Sequence, residues 1–191
     1  MDIKNYIEQS IKTKQLVLNN EEIIKQIDNI ANIIVNAYKN GNKVMTAGNG
    51  GSAGDAQHIA GELVSKFNFD RPPLAALELN TNSPLLTAIS NDYGYNKSFA
   101  RQIQANGKAG DVFIAISTSG YSENIIEAVD EANNMGIITI GLVGSKTCPL
   151  DKTCQYVIKI PSEYTPNIQE TQIMIGHIIC GLVEERIFTS R

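Results

Sequence analysis

Five short runs rich in β-branched and aliphatic residues, at 43–47, 74–79, 111–117, 137–143 and 156–160, alternate with segments whose apolar residues recur at helical spacing. Strands separated by helices cannot pair as hairpins; they are joined by crossovers, which gives a parallel sheet covered on both faces. The runs are almost continuously apolar, as in VFIAIS, the pattern of a strand buried on both sides. The expected fold is therefore α/β, a three-layer sandwich around a five-stranded parallel sheet. With flavodoxin-like order 2-1-3-4-5, the first and third strands are neighbours at the topological switch point, where open α/β sheets bind ligands.

The first forty residues add two helices, one marked by Ile3, Ile7 and Ile11 and the other by Ile23, Ile27, Ile30 and Ile34, parted at Asn19-Asn20. Residues 1–40 and an α/β core over 41–191 are expected to form a single domain, since 191 residues suit one core of ordinary size. The last long segment, Asn167 to Phe188, is apolar over most of its circumference, so one flank is expected to pack against another copy of the chain.

Charge narrows the partners. Sixteen basic and 20 acidic residues are mixed along the chain, with net charge −4, and no basic stripe exists to hold a phosphodiester backbone; nucleic acid is not expected as a ligand. The start, MDIKNYIEQSIKTK, has no apolar signal core, and the longest apolar stretch, Ile173 to Val183, contains His177 and is too short to span a bilayer. A cytoplasmic location without membrane contact is expected. Cys148, Cys154 and Cys180 form no C-x-x-C pair, and their odd number argues for reduced structural thiols.

Two loops that follow strands and open helices are built of small donors: GNGGS, Gly48 to Ser52, and STSGYS, Ser117 to Ser122. Glycine lets backbone approach a ligand closely, and free amides at a helix start favour an anion. In the expected strand order the loops lie side by side and form one cradle for a phosphate, held by amides and by the hydroxyls of Ser52, Ser117, Thr118, Ser119 and Ser122, with no Lys or Arg in either loop. Tight β–α turns also need glycine for steric reasons, and Ser or Thr can be ordinary N-caps. Neither a G-x-G-x-x-G dinucleotide fingerprint nor a Gly-Lys-Ser/Thr P-loop is present, which leaves a monophosphate site.

Four polar residues stand in otherwise apolar helical segments: His58 and Glu62 in HIAGE, and Gln169 and His177 in IQETQIMIGH. An i, i+4 pair lies about 40° apart on one helix face and can converge on one ion or one carbon. A spacing of eight leaves Gln169 and His177 in one quadrant, about 80° apart. The two histidines are the only ones in the chain. The bland alternative for each is a core histidine bonded to a carbonyl.

GNGGSAGDAQHIAGEL, NDYGYN, ISTSGYSENI and IQE…H, in that order, resemble the sugar isomerase family and within it the phosphoheptose isomerases, over nearly the whole chain. The resemblance implies a homotetramer that converts sedoheptulose 7-phosphate to D-glycero-D-manno-heptose 7-phosphate through an enediol, the first step towards ADP-heptose for lipopolysaccharide or capsule. It places substrate-binding residues on Asn49, Gly50, Gly51, Ser52, Asn91, Asp92, Ser117, Thr118, Ser119, Ser122, Gln169 and Glu62. It places a zinc ion on His58, Glu62, Gln169 and His177, and catalysis on Glu62 and His177. Two departures, Asn167 where relatives carry Arg and Gln172 where they carry His, bear on the sugar accepted and the charge of the pocket.

An enediol reaction needs a base on one face of the sugar and an acid or electrophile at its oxygens. Glu62 suits the base and His177 the proton relay. A carboxylate bound to zinc is a weaker base, so Glu62 is base, ligand or both. Glu62 also lies about 15 Å along its helix from Ser52, farther than a heptose easily spans, so the cradle of one subunit is expected to face catalytic side chains of another. The rival readings are a tetrameric adaptor of the same fold that binds the bacterial replication initiator, an isomerase of a shorter sugar phosphate such as arabinose 5-phosphate, and a sugar-phosphate-sensing module, for which no accompanying DNA-binding domain is seen.

Overall fold

The computed structural model describes residues 2–189. Parallel strands β1 (Val44–Gly48), β2 (Ala76–Glu78), β3 (Val112–Ser117), β4 (Ile138–Val143) and β5 (Tyr156–Lys159) form one sheet in the order β2-β1-β3-β4-β5. This is the expected order. Adjacent residues of each central strand serve opposite faces. Val44, Ile114 and Leu142 pack with Ile34 of α2 (Glu21–Lys39), Ile59 of α3 (Gly51–Val64) and Ile179 of α8 (Thr165–Phe188). Met45, Phe113 and Ala115 pack instead with Ile103 of α5 (Ala100–Asn106) and Ile125 and Val129 of α6 (Glu123–Asn134). Two cores thus account for strands that are almost continuously apolar.

The second strand is shorter than its apolar run. It lies at the sheet edge after Pro72-Pro73, and the amide of Leu74 goes to the carbonyl of Leu63 at the end of α3 instead of to the sheet. Leu74 and Leu79 are nevertheless buried, so hydrophobicity marked the run and hydrogen bonding ended the strand. At the N-terminus α1 (Ile3–Leu18) and α2 part at the predicted asparagines, where Asn20 Oδ1 accepts from the amides of Glu22 and Ile23 at 3.0 and 3.1 Å and caps α2. Helices α4 (Ser83–Tyr93) and α7 (Leu150–Thr153) complete the set.

Helices α3 and α8 run side by side in the same direction: Gly51 abuts Gln169 at one end and Gly176 abuts Ile59 further along. A buried ion pair locks their far ends. Glu184, on α8, accepts from the amides of Phe67 and Asn68 at 2.8 and 2.6 Å and from Arg71 Nε at 3.1 Å. Arg71 in turn donates to the carbonyls of Leu63 and Glu62, both at 2.7 Å, and so caps α3. Burial pushes the Glu184 carboxyl up, but these donors outweigh it and hold the group below the ordinary carboxylate range.

A depressed acid contributes stability that is complete above its unfolded pKa and is lost as pH falls through the folded one. Glu184→Gln should therefore lower the unfolding free energy by about 3 kcal/mol at pH 7. The difference from the wild type should narrow below about pH 4, near the unfolded carboxylate value, as urea titrations at the two pH values would show.

Candidate functional site

The loop after β1 turns at Gly50, whose φ of 57° belongs to the left-handed region, and delivers the chain into α3. A side chain at Gly51 would overlap the amide of Gln169. The second loop leaves β3 beside it and turns at Gly120, with φ of 71°, over the thiol of Cys148. Within it Ser117 Oγ and Ser122 Oγ lie 3.1 Å apart, and the amide of Gly120 donates to Ser117 Oγ at 3.1 Å. Ser122 occupies the N-cap of α6 but makes no side-chain cap bond. Its hydroxyl is therefore turned to its own loop, and the ordinary-cap alternative fails for it.

Further along α3, with His58 about 9 Å and Glu62 about 15 Å of helix rise from Ser52, a second cluster forms where α3 and α8 touch. His58 Nε2 lies 3.0 Å from Glu62 Oε1 and 3.4 Å from His177 Nε2. One ligand atom from each of the three residues falls within 4.8 Å of the others. Tetrahedral zinc, with bonds of about 2.0–2.1 Å, sets its ligands about 3.3 Å apart. The two separations made by His58 match that spacing, two imidazole nitrogens and a carboxylate oxygen are donors suited to such an ion, and a set of three leaves a position open. The Phe67 ring, whose backbone amide donates to Glu184, lies tilted beside the His177 ring with centroids 5.6 Å apart.

The other expected residues are dispersed. Gln169 lies against Gly51, and its eight residues from His177 amount to about 12 Å of helix rise, so one chain does not bring it to the triad. Asn91 donates to Asp92 Oδ1 at 2.9 Å at the exposed end of α4, and neither bonds to a cradle residue. Gln172 lies inside the fold of its own chain. It is fully buried and donates to the carbonyl of Leu142 at 2.8 Å, so this departure serves the core between α8 and the sheet. Asn167 is buried as well, with Oδ1 unpartnered.

The sequence model of the SIS domain family matches residues 5–144. The chain belongs to the SIS domain family. A phosphoheptose isomerase of Aneurinibacillus thermoaerophilus is 54% identical to it over 189 residues, 99% of this chain and 96% of that protein. The solved structure of a phosphoheptose isomerase from Francisella tularensis superimposes with a TM-score of 0.90 at 35% identity, covering 96% of each chain. That of the Neisseria gonorrhoeae phosphoheptose isomerase gives 0.89 at 34% identity, covering 96% of this chain and 97% of that one.

One residue of this SIS domain was missed in the sequence. Asp55, one turn before His58, is partly buried, and its Oδ2 has no partner. Burial raises its pKa to about 6, against a smaller opposite pull from His58. Its i, i+3 relation to His58 was the available signal. A raised acid costs stability once ionised: the cost is absent below the unfolded value of about 3.9 and complete above the folded value. Asp55→Asn should accordingly raise the melting temperature of chelator-treated protein at pH 8 and leave it unchanged at pH 3.5, as calorimetry would record.

Proposed function

We propose that this chain is a phosphoheptose isomerase, an enzyme that interconverts sedoheptulose 7-phosphate and D-glycero-D-manno-heptose 7-phosphate. The convergence of His58, Glu62 and His177 carries the proposal, in a chain 54% identical to a phosphoheptose isomerase. Glu62 takes the proton from one of the two carbons and returns it to the other, while His177 moves a proton between their oxygens. His58 fixes the carboxylate through its 3.0 Å contact. Zinc held by His58, Glu62 and His177 would polarise the carbonyl oxygen. The serine-rich loop and the amides of Asn49, Gly50 and Gly51 hold the phosphate at the switch point. An adaptor would have no use for the triad, which weighs against that alternative.

The distances favour a site shared between subunits. With the cradle about 15 Å from Glu62 along α3, and Gln169 at the cradle end, one subunit supplies phosphate loops and Gln169 while another supplies the triad. A homotetramer suits this arrangement. In support, an apolar groove of about 630 Å³ between α1, α2 and α8, lined by Ile11, Leu18, Ile24, Met174 and Ile178, is open for a second copy. Among the described residues no helix is long and apolar enough to cross a membrane. We place the enzyme in the cytoplasm as one SIS domain over 1–191, at the head of ADP-heptose supply for lipopolysaccharide or capsule.

Purified protein should turn over sedoheptulose 7-phosphate, and Glu62→Gln or His177→Ala should lower kcat by about 10²–10⁴-fold. Chelation should abolish activity and added zinc restore it; a folded wild type inert with zinc would reject the isomerase. Co-refolding inactive Glu62→Gln with inactive Ser119→Ala/Ser122→Ala should restore part of the activity, because hybrids contain some intact sites. Recovery no better than the separate variants would place each site within one chain.

A further inference from the structure

The side chain of Asn49 is almost fully used inside the fold. Its Oδ1 accepts from Asn124 Nδ2 at 3.0 Å and from the Tyr95 hydroxyl at 2.8 Å, and its Nδ2 donates to Asn124 Oδ1 at 2.8 Å. A primary amide offers two acceptor and two donor positions, so a single N–H is left for any ligand. Asn124 is only 3% exposed, and its Nδ2 also faces Ser98 Oγ at 3.4 Å.

These bonds join three segments. Asn49 belongs to the loop after β1, and Asn124 stands two residues beyond Ser122 in the first turn of α6. Tyr95 lies in the short turn that follows Asn91 and Asp92. From the β2 side, Asn80 clasps the same loop by donating to the carbonyl of Gly48 at 2.7 Å and accepting from its amide at 3.3 Å.

We propose that Asn124 and Tyr95 are positioning residues for the sugar phosphate: the paired amides of Asn49 and Asn124 set the separation of the two cradle loops, and the Tyr95 hydroxyl ties the Asn91–Asp92 segment to the same point. The inference rests on reading those loops as the phosphate site. Asn49 then serves the ligand through the place it gives its backbone, and its side chain acts on the opposite loop. Removing either amide leaves the other with unpaired polar atoms in a partly buried setting, which costs more than the lost bond where the buried Asn124 is the one left and lets the loops part. The reacting carbons lie at the other end of the substrate, so the loss falls on binding.

The test is a double-mutant cycle on the full-length assembled protein, read as the affinity for inorganic phosphate and as KM and kcat for sedoheptulose 7-phosphate. Asn49→Ala and Asn124→Ala should each weaken phosphate binding and raise KM by about tenfold, with kcat little changed. The double variant should be no worse than Asn49→Ala alone, because that substitution already removes the link to Asn124 along with the Tyr95 bond. Multiplying effects would show that Asn49 touches the ligand independently of Asn124, and would overturn the proposal, as would undiminished phosphate binding by Asn124→Ala.

Asn124→Asp keeps the shape and makes the donor depend on pH. Its carboxylate opposes Asn49 Oδ1 at pH 8, whereas the protonated acid can donate, so the KM ratio of variant to wild type should fall towards one as that carboxyl, followed by NMR, takes up its proton, which burial at this 3% exposed position shifts above the ordinary value of about 3.9. A ratio that stays flat while that carboxyl titrates overturns the donor role. An inactive wild type whose phosphate affinity still shows the coupling rejects the isomerase and keeps the clasp. An active wild type whose phosphate affinity ignores the substitutions does the reverse.

Discussion

The close packing of α3 against α8 is the constraint from which the site follows. Gly176 leaves room for Ile59, and Gly51 leaves room for Gln169; a side chain at either glycine would overlap its neighbour and force the helices apart. Only at this separation do the rings of His58 and His177 meet with centroids 4.8 Å apart. The Arg71–Glu184 pair then fixes where α3 stops, and with it the height of Glu62. Stability and chemistry are therefore coupled at one helix–helix contact, flanked by an ion pair that is costly to break.

The two ends of α3 do different work. Its start carries glycines and free amides and faces the loop after β3, while its second half carries the histidine and carboxylate that meet α8. The strand order makes the first possible, because β1 and β3 are neighbours and their following loops leave the sheet together. The parallel run of α3 and α8 makes the second possible. Neither arrangement is local, yet both follow from a single sheet topology.

The sheet was legible because burial on two faces leaves a mark on every residue of β1, β3 and β4. The cluster of His58, Glu62 and His177 was legible because two histidines in apolar helices are conspicuous, and because i, i+4 spacing maps directly onto a helix face. Gln169 shows where such projection stops: a helical wheel records angle and discards rise, so residues in one quadrant stand about 12 Å apart. The pairing of Asn49 with Asn124, 75 positions apart, and of Arg71 with Glu184, 113 apart, left no periodic trace. Each depends on where a crossover or a loop closes, which tertiary packing decides.

The absence of any cation from GNGGS and STSGYS bears on how an anion arrives. Amides and hydroxyls act over a few ångströms, and on a chain of net charge −4 these loops create no long-range attraction of their own. Whatever steering an anionic ligand receives must then come from charges outside these loops, where salt screens it. Selectivity at such loops resides in residence time, set by how many donors converge once the ligand has been found.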